Sequence, residues 1–100
     1  MFRATTPTHI FALPFETNQL KEVRITYQQS GKTVLQKKEN DCTLTGNEIK
    51  VELTQEETLL FTPDVRVHIQ LRVLTTSGQV MASDVEKVLP KACLDEEVLS

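Results

Sequence analysis

Two histidines, two cysteines and fourteen carboxylates are the residues of this 100-residue chain that could do chemistry. His9 or His68 could act as a general base or metal ligand, and Cys42 or Cys93 as a nucleophile or thiolate ligand. Each role needs partners at short range. The cysteines have no CxxC spacing and the histidines lie far apart in sequence, so the spacing of a metal site is missing. No nucleophile is recognisably paired with His9. Glu56 and Glu57 suit the first turn of a helix, where the macrodipole favours negative charge, and Asp64, Asp84 and Asp95 stand apart from one another. No G-x-S-x-G, H-E-x-x-H, P-loop or G-x-G-x-x-G pattern occurs. These residues argue against an enzyme and imply neither cofactor nor metal. The cysteines read as reduced thiols of a cytosolic protein, with a Cys42–Cys93 disulfide as the alternative.

One polar row has a spacing of its own. Arg66, His68, Gln70 and Arg72 alternate with Val65, Val67, Ile69, Leu71 and Val73. Period-two alternation marks a strand with one dry face and one wet face. The flanking arginines suit an anionic contact. The plainer reading is a solvated strand face. We take Arg66, His68, Gln70 and Arg72 as the candidate interaction face, for protein, or for sugar if aromatics join it. The only aromatics are Phe2, Phe11, Phe15, Phe61 and Tyr27, which counts against a carbohydrate-binding module.

The elements that must position this row are also strands. Glycine reaches positive φ without steric cost, and Gly31, Gly46 and Gly78 all fall at turns. Thr8 to Leu13 reads as a short first strand and as the first candidate edge for pairing with a partner. Glu22 to Gln28 turns Val23, Ile25 and Tyr27 to one face, and Ser30-Gly31 reverses the chain into Lys32 to Lys38. Lys37-Lys38 reads as part of a solvated strand face. A brief segment at Cys42 and Leu44 precedes Glu48 to Leu53, where Ile49, Val51 and Leu53 point inward. Thr54-Gln55-Glu56-Glu57 has the form of a capping box. It opens a helix of one or two turns near residues 54–61, which Leu60 and Phe61 should dock. A three-residue loop ending at Gly78 would place Met81, Ser83 and Val85 inward and keep Asp84 out.

About seven strands with turns roughly every ten residues predict an all-β, immunoglobulin-like antiparallel sandwich over residues 1–100. The acidic tail from about residue 91 should fray or dock on a partner. Hydrophobic residues are 39% and charged residues 25% of the chain, ordinary for a folded domain. The net charge of −3 offers nothing to a nucleic acid. No apolar run is long enough to span a membrane, and no export signal is visible.

Three segments carry a resemblance. They are Thr6-Pro7-Thr8-His9-Ile10-Phe11-Ala12-Leu13-Pro14-Phe15, Leu53-Thr54-Gln55-Glu56-Glu57-Thr58-Leu59, and Val73-Leu74-Thr75-Thr76-Ser77-Gly78-Gln79-Val80-Met81-Ala82-Ser83-Asp84-Val85. Together they resemble small prophage-encoded proteins of Gram-positive gut bacteria and, more loosely in pattern, the N-terminal domain of phage baseplate upper proteins. The resemblance implies a β-sandwich and a phage structural or tail-associated role, with no catalytic residues. Baseplate proteins continue into long helical and receptor-binding portions, so a chain of this length is expected to be a small accessory protein of the tail or virion. Its expected partners are other phage structural proteins or further copies of itself. It is expected in the bacterial host cytoplasm during assembly and then in the virion. The competing reading is a carbohydrate- or small-ligand-binding module using the Arg66–Arg72 face.

Overall fold

Apolar-polar alternation makes each segment between turns a strand, and a computed structural model describing all residues from Met1 to Ser100 shows how the strands pair. One sheet has the order β1 (Thr8–Ala12), β5 (Glu48–Glu52), β4 (Cys42–Thr45). The other has the order β3 (Lys32–Lys38), β2 (Leu20–Gln29), β6 (Val67–Thr75), then β7 (Val80–Ala82) and β8 (Glu86–Val88), which both pair with β6. All pairings between these strands are antiparallel. With β7 and β8 counted as two halves of one edge strand, this is an immunoglobulin-like sandwich of seven strands. Its order is B-E-D against C′-C-F-G, and no strand occupies the A position beside β1.

The core lies between the two sheets. Val23, Ile25 and Tyr27 of β2 and Val67, Ile69, Leu71 and Val73 of β6 face Ile49 and Val51 of β5, and Leu53 and Phe61 close one end. These are the inward residues the alternation predicts. The β2–β3 hairpin turns through Ser30 and Gly31, at φ 53° and 76°. Two successive positive φ values are what a type I′ turn requires. The capping box also forms. Thr54 Oγ accepts from the Glu57 N–H at 3.1 Å, and the Glu57 carboxylate accepts from the Thr54 N–H at 2.9 Å, opening the single turn α1 (Gln55–Thr58).

Three expectations are corrected, and contacts of the tail are seen. Phe61 docks the turn, but Leu60 is 58% exposed, because one helical turn presents only one side to the core. Lys37 is not on a wet face. It pairs with Ile25 and points inward, 9% exposed, with its ammonium 2.6 Å from Glu57. Long methylene stems let a lysine lie along apolar surface when a carboxylate meets the head. At the closing hairpin, Gly78 takes φ 92°, Met81 pairs with Val73, and Ser83 donates its N–H to the Leu71 carbonyl at 2.9 Å. Beyond Ser83 the register slips. Gln70 and Leu71 oppose Ser83 to Val85, a bulge of one residue, so Glu86 faces Ile69 and Val85 is 46% exposed. The tail bonds back onto its own domain. Arg3 holds Glu96 through both carboxylate oxygens at 2.8 and 3.0 Å, and Gln55 exchanges two 2.8 Å hydrogen bonds with Leu99.

Ile25 lies at the centre of the core and has no exposed surface. Replacing Ile25 with Ala should cost about 2–5 kcal/mol of unfolding free energy by urea titration. Leu60→Ala should stay within about 0.5 kcal/mol.

Candidate functional site

The pairing that buries the core also sorts the outer face of the second sheet into rows. Lys38 pairs with Arg24, and Arg24 with Arg72, so three cations stand side by side on three neighbouring strands. The next row is Gln36, Thr26 and Gln70, tied by a 3.1 Å bond from Gln36 Nε2 to Thr26 Oγ. The third is Thr33, Gln28, His68 and Lys87. Arg72, Gln70 and His68 are thus assembled with partners that the one-strand pattern could not show. Arg66 lies just before β6 and is exposed.

No salt bridge engages the cations of this face. The salt bridges of the molecule are Arg3–Glu96, Lys37–Glu57 and Lys50–Glu48, and none involves Lys38, Arg24, Arg72, Arg66 or Lys87. Glu39 at the end of the cationic row is spent on the backbone, accepting from the Val23 N–H at 3.2 Å. Hydrogen bonds from the backbone N–H groups of Glu39 and Val23, and then the charges of Lys38 and Arg24, hold its carboxyl below the usual range. No aromatic side chain belongs to the three rows.

Inside the sandwich, His9 of β1 reaches Tyr27 of β2 across the gap, its Nδ1 2.8 Å from the phenol oxygen. The rings also touch, with centroids 5.6 Å apart. Burial pushes the His9 imidazole below its ordinary pKa, and the N-terminal ammonium adds to the effect. Burial likewise raises the Tyr27 phenol, helped by Cys42 and Glu57 nearby. Cys42 is a free thiol, pushed up by burial first and by Asp41 second, which makes it a poor nucleophile. The Glu57 carboxyl would be raised by its own burial, but the Lys37 ammonium and the Thr54 N–H outweigh this and leave it lowered. His9 and Cys42 both pair with Val51, from opposite sides, so two strand spacings of about 4.8 Å each separate them. They form no catalytic pair. Cys93 is also free, with its Sγ 3.2 Å from the Arg3 carbonyl.

Sequence reasoning marks Thr8 to Leu13 as a candidate edge but misses the groove beside it. A groove of about 670 Å³ runs between β1 and the β6–β8 wall, and eleven of its sixteen lining residues are hydrophobic. The one signal in the sequence is Thr8 to Phe15, an uncharged run whose apolar residues exceed what one strand face can bury. A smaller hollow of about 140 Å³ touches Glu22, Arg24 and Arg72 on the outer face. Neither concavity includes His68. No helix of the molecule is long and apolar enough to cross a membrane. Compared with known proteins, the chain matches no protein-family model, no curated protein and no solved structure.

The lowered His9 pKa has a pH consequence. An unfolded chain takes up a proton near pH 6.5 that the folded chain refuses, so the His9 contribution is complete above about pH 6.5 and is lost as pH falls below it. The melting temperature should therefore decline from about pH 6.5 to 5, and His9→Gln should flatten that decline in a calorimetric series.

Proposed function

We propose that this chain is a non-catalytic contact module of a phage tail or virion assembly. It binds other virion proteins through the outer face of the second sheet and through the edge of β1. One observation carries the reading. Lys38, Arg24 and Arg72 form an unpaired cationic row on a flat sheet face, in a chain whose net charge is −3. Like charges on adjacent strands cost stability, so a row that makes no salt bridge of its own suits an acidic protein surface that supplies further carboxylates. His68, Gln70 and Gln28 beside it offer hydrogen bonds that set register.

The phage setting rests on the resemblance of the opening, central and closing segments. In that setting the protein resides in the host cytoplasm during assembly and then in the virion, among structural proteins or copies of itself. The absence of an aromatic platform on the rows favours a protein partner over a sugar. The raised Cys42 thiol and the separation of His9 from Cys42 favour a contact role over catalysis.

Mass spectrometry of purified virions from the induced host should find the chain in fixed stoichiometry. Rebinding of an Arg24→Glu/Arg72→Glu variant to virions stripped of the protein should weaken about tenfold or more, and the wild-type interaction should weaken as ionic strength rises. Absence from virions, or rebinding indifferent to both charge reversals, would overturn the reading.

A further inference from the structure

We propose that the groove along β1 is a receptor for one extended strand from a partner protein. That strand carries apolar residues at alternate positions and a single lysine or arginine that meets Glu86. The inference deepens the contact-module reading and rests on it, but it concerns a different surface from the cationic face.

The backbone of β1 supplies the first reason. Leu53 donates to the Pro7 carbonyl at 3.0 Å, and Leu13 donates to the Asn47 carbonyl at 2.8 Å. Both bonds lie on the register that pairs His9 with Val51 and Phe11 with Ile49. Hydrogen-bonded pairs alternate along an antiparallel ladder, so His9 and Phe11 spend their peptide groups on β5. Thr8, Ile10 and Ala12 must direct their N–H and C=O groups away from β5, to the free edge. That edge has no lysine and no internal proline to blunt it, unlike β3 with its three lysines.

The groove supplies the second reason. Its lining takes in every residue from Thr8 to Phe15, both inward and outward, so it follows the backbone edge itself rather than one face of the strand. The far wall is Ile69, Leu71 and Val73, with Met81 and Val88 from the interrupted edge strand. This is the place where an A strand would lie between B and G in an immunoglobulin-like sandwich. The chain's own N-terminal residues do not fill it, because Phe2 bridges to Lys91 and the Arg3 N–H bonds the Lys91 carbonyl at 2.9 Å.

Charge supplies the third reason and selects the partner. Glu86 is the only charged residue lining the groove, and it has no salt-bridge partner. It pairs with Ile69, which pairs with Tyr27, whose hydroxyl meets His9. The carboxylate therefore stands at the His9 end of β1. An antiparallel incoming strand would bring its carboxyl-terminal end there, so the basic residue belongs at that end. Main-chain bonds to the edge give affinity and alternate side chains in the groove give specificity, as in other strand additions.

The probe is a fluorescein-labelled synthetic peptide that alternates Val and Thr over the length of β1 and ends in Lys, titrated with the full chain by fluorescence anisotropy. Saturable binding is expected. Ile10→Pro removes an N–H aimed at the groove rather than at β5 and should weaken binding about tenfold or more. Met81→Asp, on the opposite wall, should do the same without altering β1, and circular dichroism verifies the fold of each variant. Exchanging the terminal Lys for Glu should weaken binding, and Glu86→Lys should reverse that preference. Failure of the folded wild type to bind the peptide would overturn the inference, as would binding indifferent to Ile10→Pro, Met81→Asp and Glu86→Lys. Loss on Arg72→Glu alone would move the peptide to the cationic face, overturning the groove while leaving the contact-module reading intact. Binding of decanoate in the groove without binding of the peptide would overturn it in favour of a lipophilic ligand. If the peptide binds but the chain is absent from virions, the groove stands and the phage role falls.

Discussion

Nine paired positions between β2 and β6 decide which side chains of this molecule are dry and which are wet. Val23 faces Val73, Ile25 faces Leu71 and Tyr27 faces Ile69, all on the core side. Between them Arg24 faces Arg72, Thr26 faces Gln70 and Gln28 faces His68, all on the outside. A slip of one residue would exchange the two sets completely. The core and the cationic face are therefore products of one register, and neither can be altered in bulk without the other.

Polar groups inside the molecule attach the irregular segments to this sheet pair. Gln29 is buried at the end of β2, and its amide donates to the carbonyls of Thr62 and Val65 and accepts from the Thr62 N–H, each at 2.9 Å. Thr58 accepts from the Thr5 N–H and donates to the carbonyl of Thr5 or of Gln55, linking α1 to the N-terminal segment. Lys37 reaches from β3 to Glu57 in the same turn. A satisfied polar network specifies one arrangement where an apolar one would tolerate several. Arg3 adds the last attachment, bonding Glu96 and the Leu59 carbonyl and leaving only its Nε without a partner. These bonds hold the chain termini and α1 at one end of the sandwich, and so leave the groove beside β1 unfilled.

Two surfaces of opposite character result. The outer sheet face is flat, polar and cationic, suited to long-range attraction and salt-sensitive contact. The β1 side is concave and apolar, with peptide groups presented in a line. Their positions follow from the strand order, since β1 closes one sheet and the interrupted β7–β8 strand closes the other. The bulge at Ser83 to Val85 shapes the second border, because it brings Glu86 rather than Val85 to the groove side.

Much of this was legible from residue order. Strict alternation in Val65 to Val73 and Val23 to Tyr27 identified the inward residues, the positive-φ turns at Gly31 and Gly78 located the hairpins, and Thr54 to Glu57 marked the helical turn. Those are local signals, set by side-chain period and by backbone sterics within a few residues. Lys37, Glu86 and the groove were not legible. Lys37 lies inward because Glu57, twenty residues on, meets its ammonium across the fold. Glu86, though exposed, comes to the groove side because a bulge, which alternation cannot display, shifts the register after Ser83. The cationic row needed Arg24, Lys38 and Arg72 to be brought abreast by pairing between distant strands. The sequence by itself determined most of the strands, the inward residues of β2, β5 and β6, and the sandwich. Which strands became neighbours, and so which charges stand together and which side stays open, was decided only by the tertiary structure, because pairing acts between residues that local periodicity cannot connect.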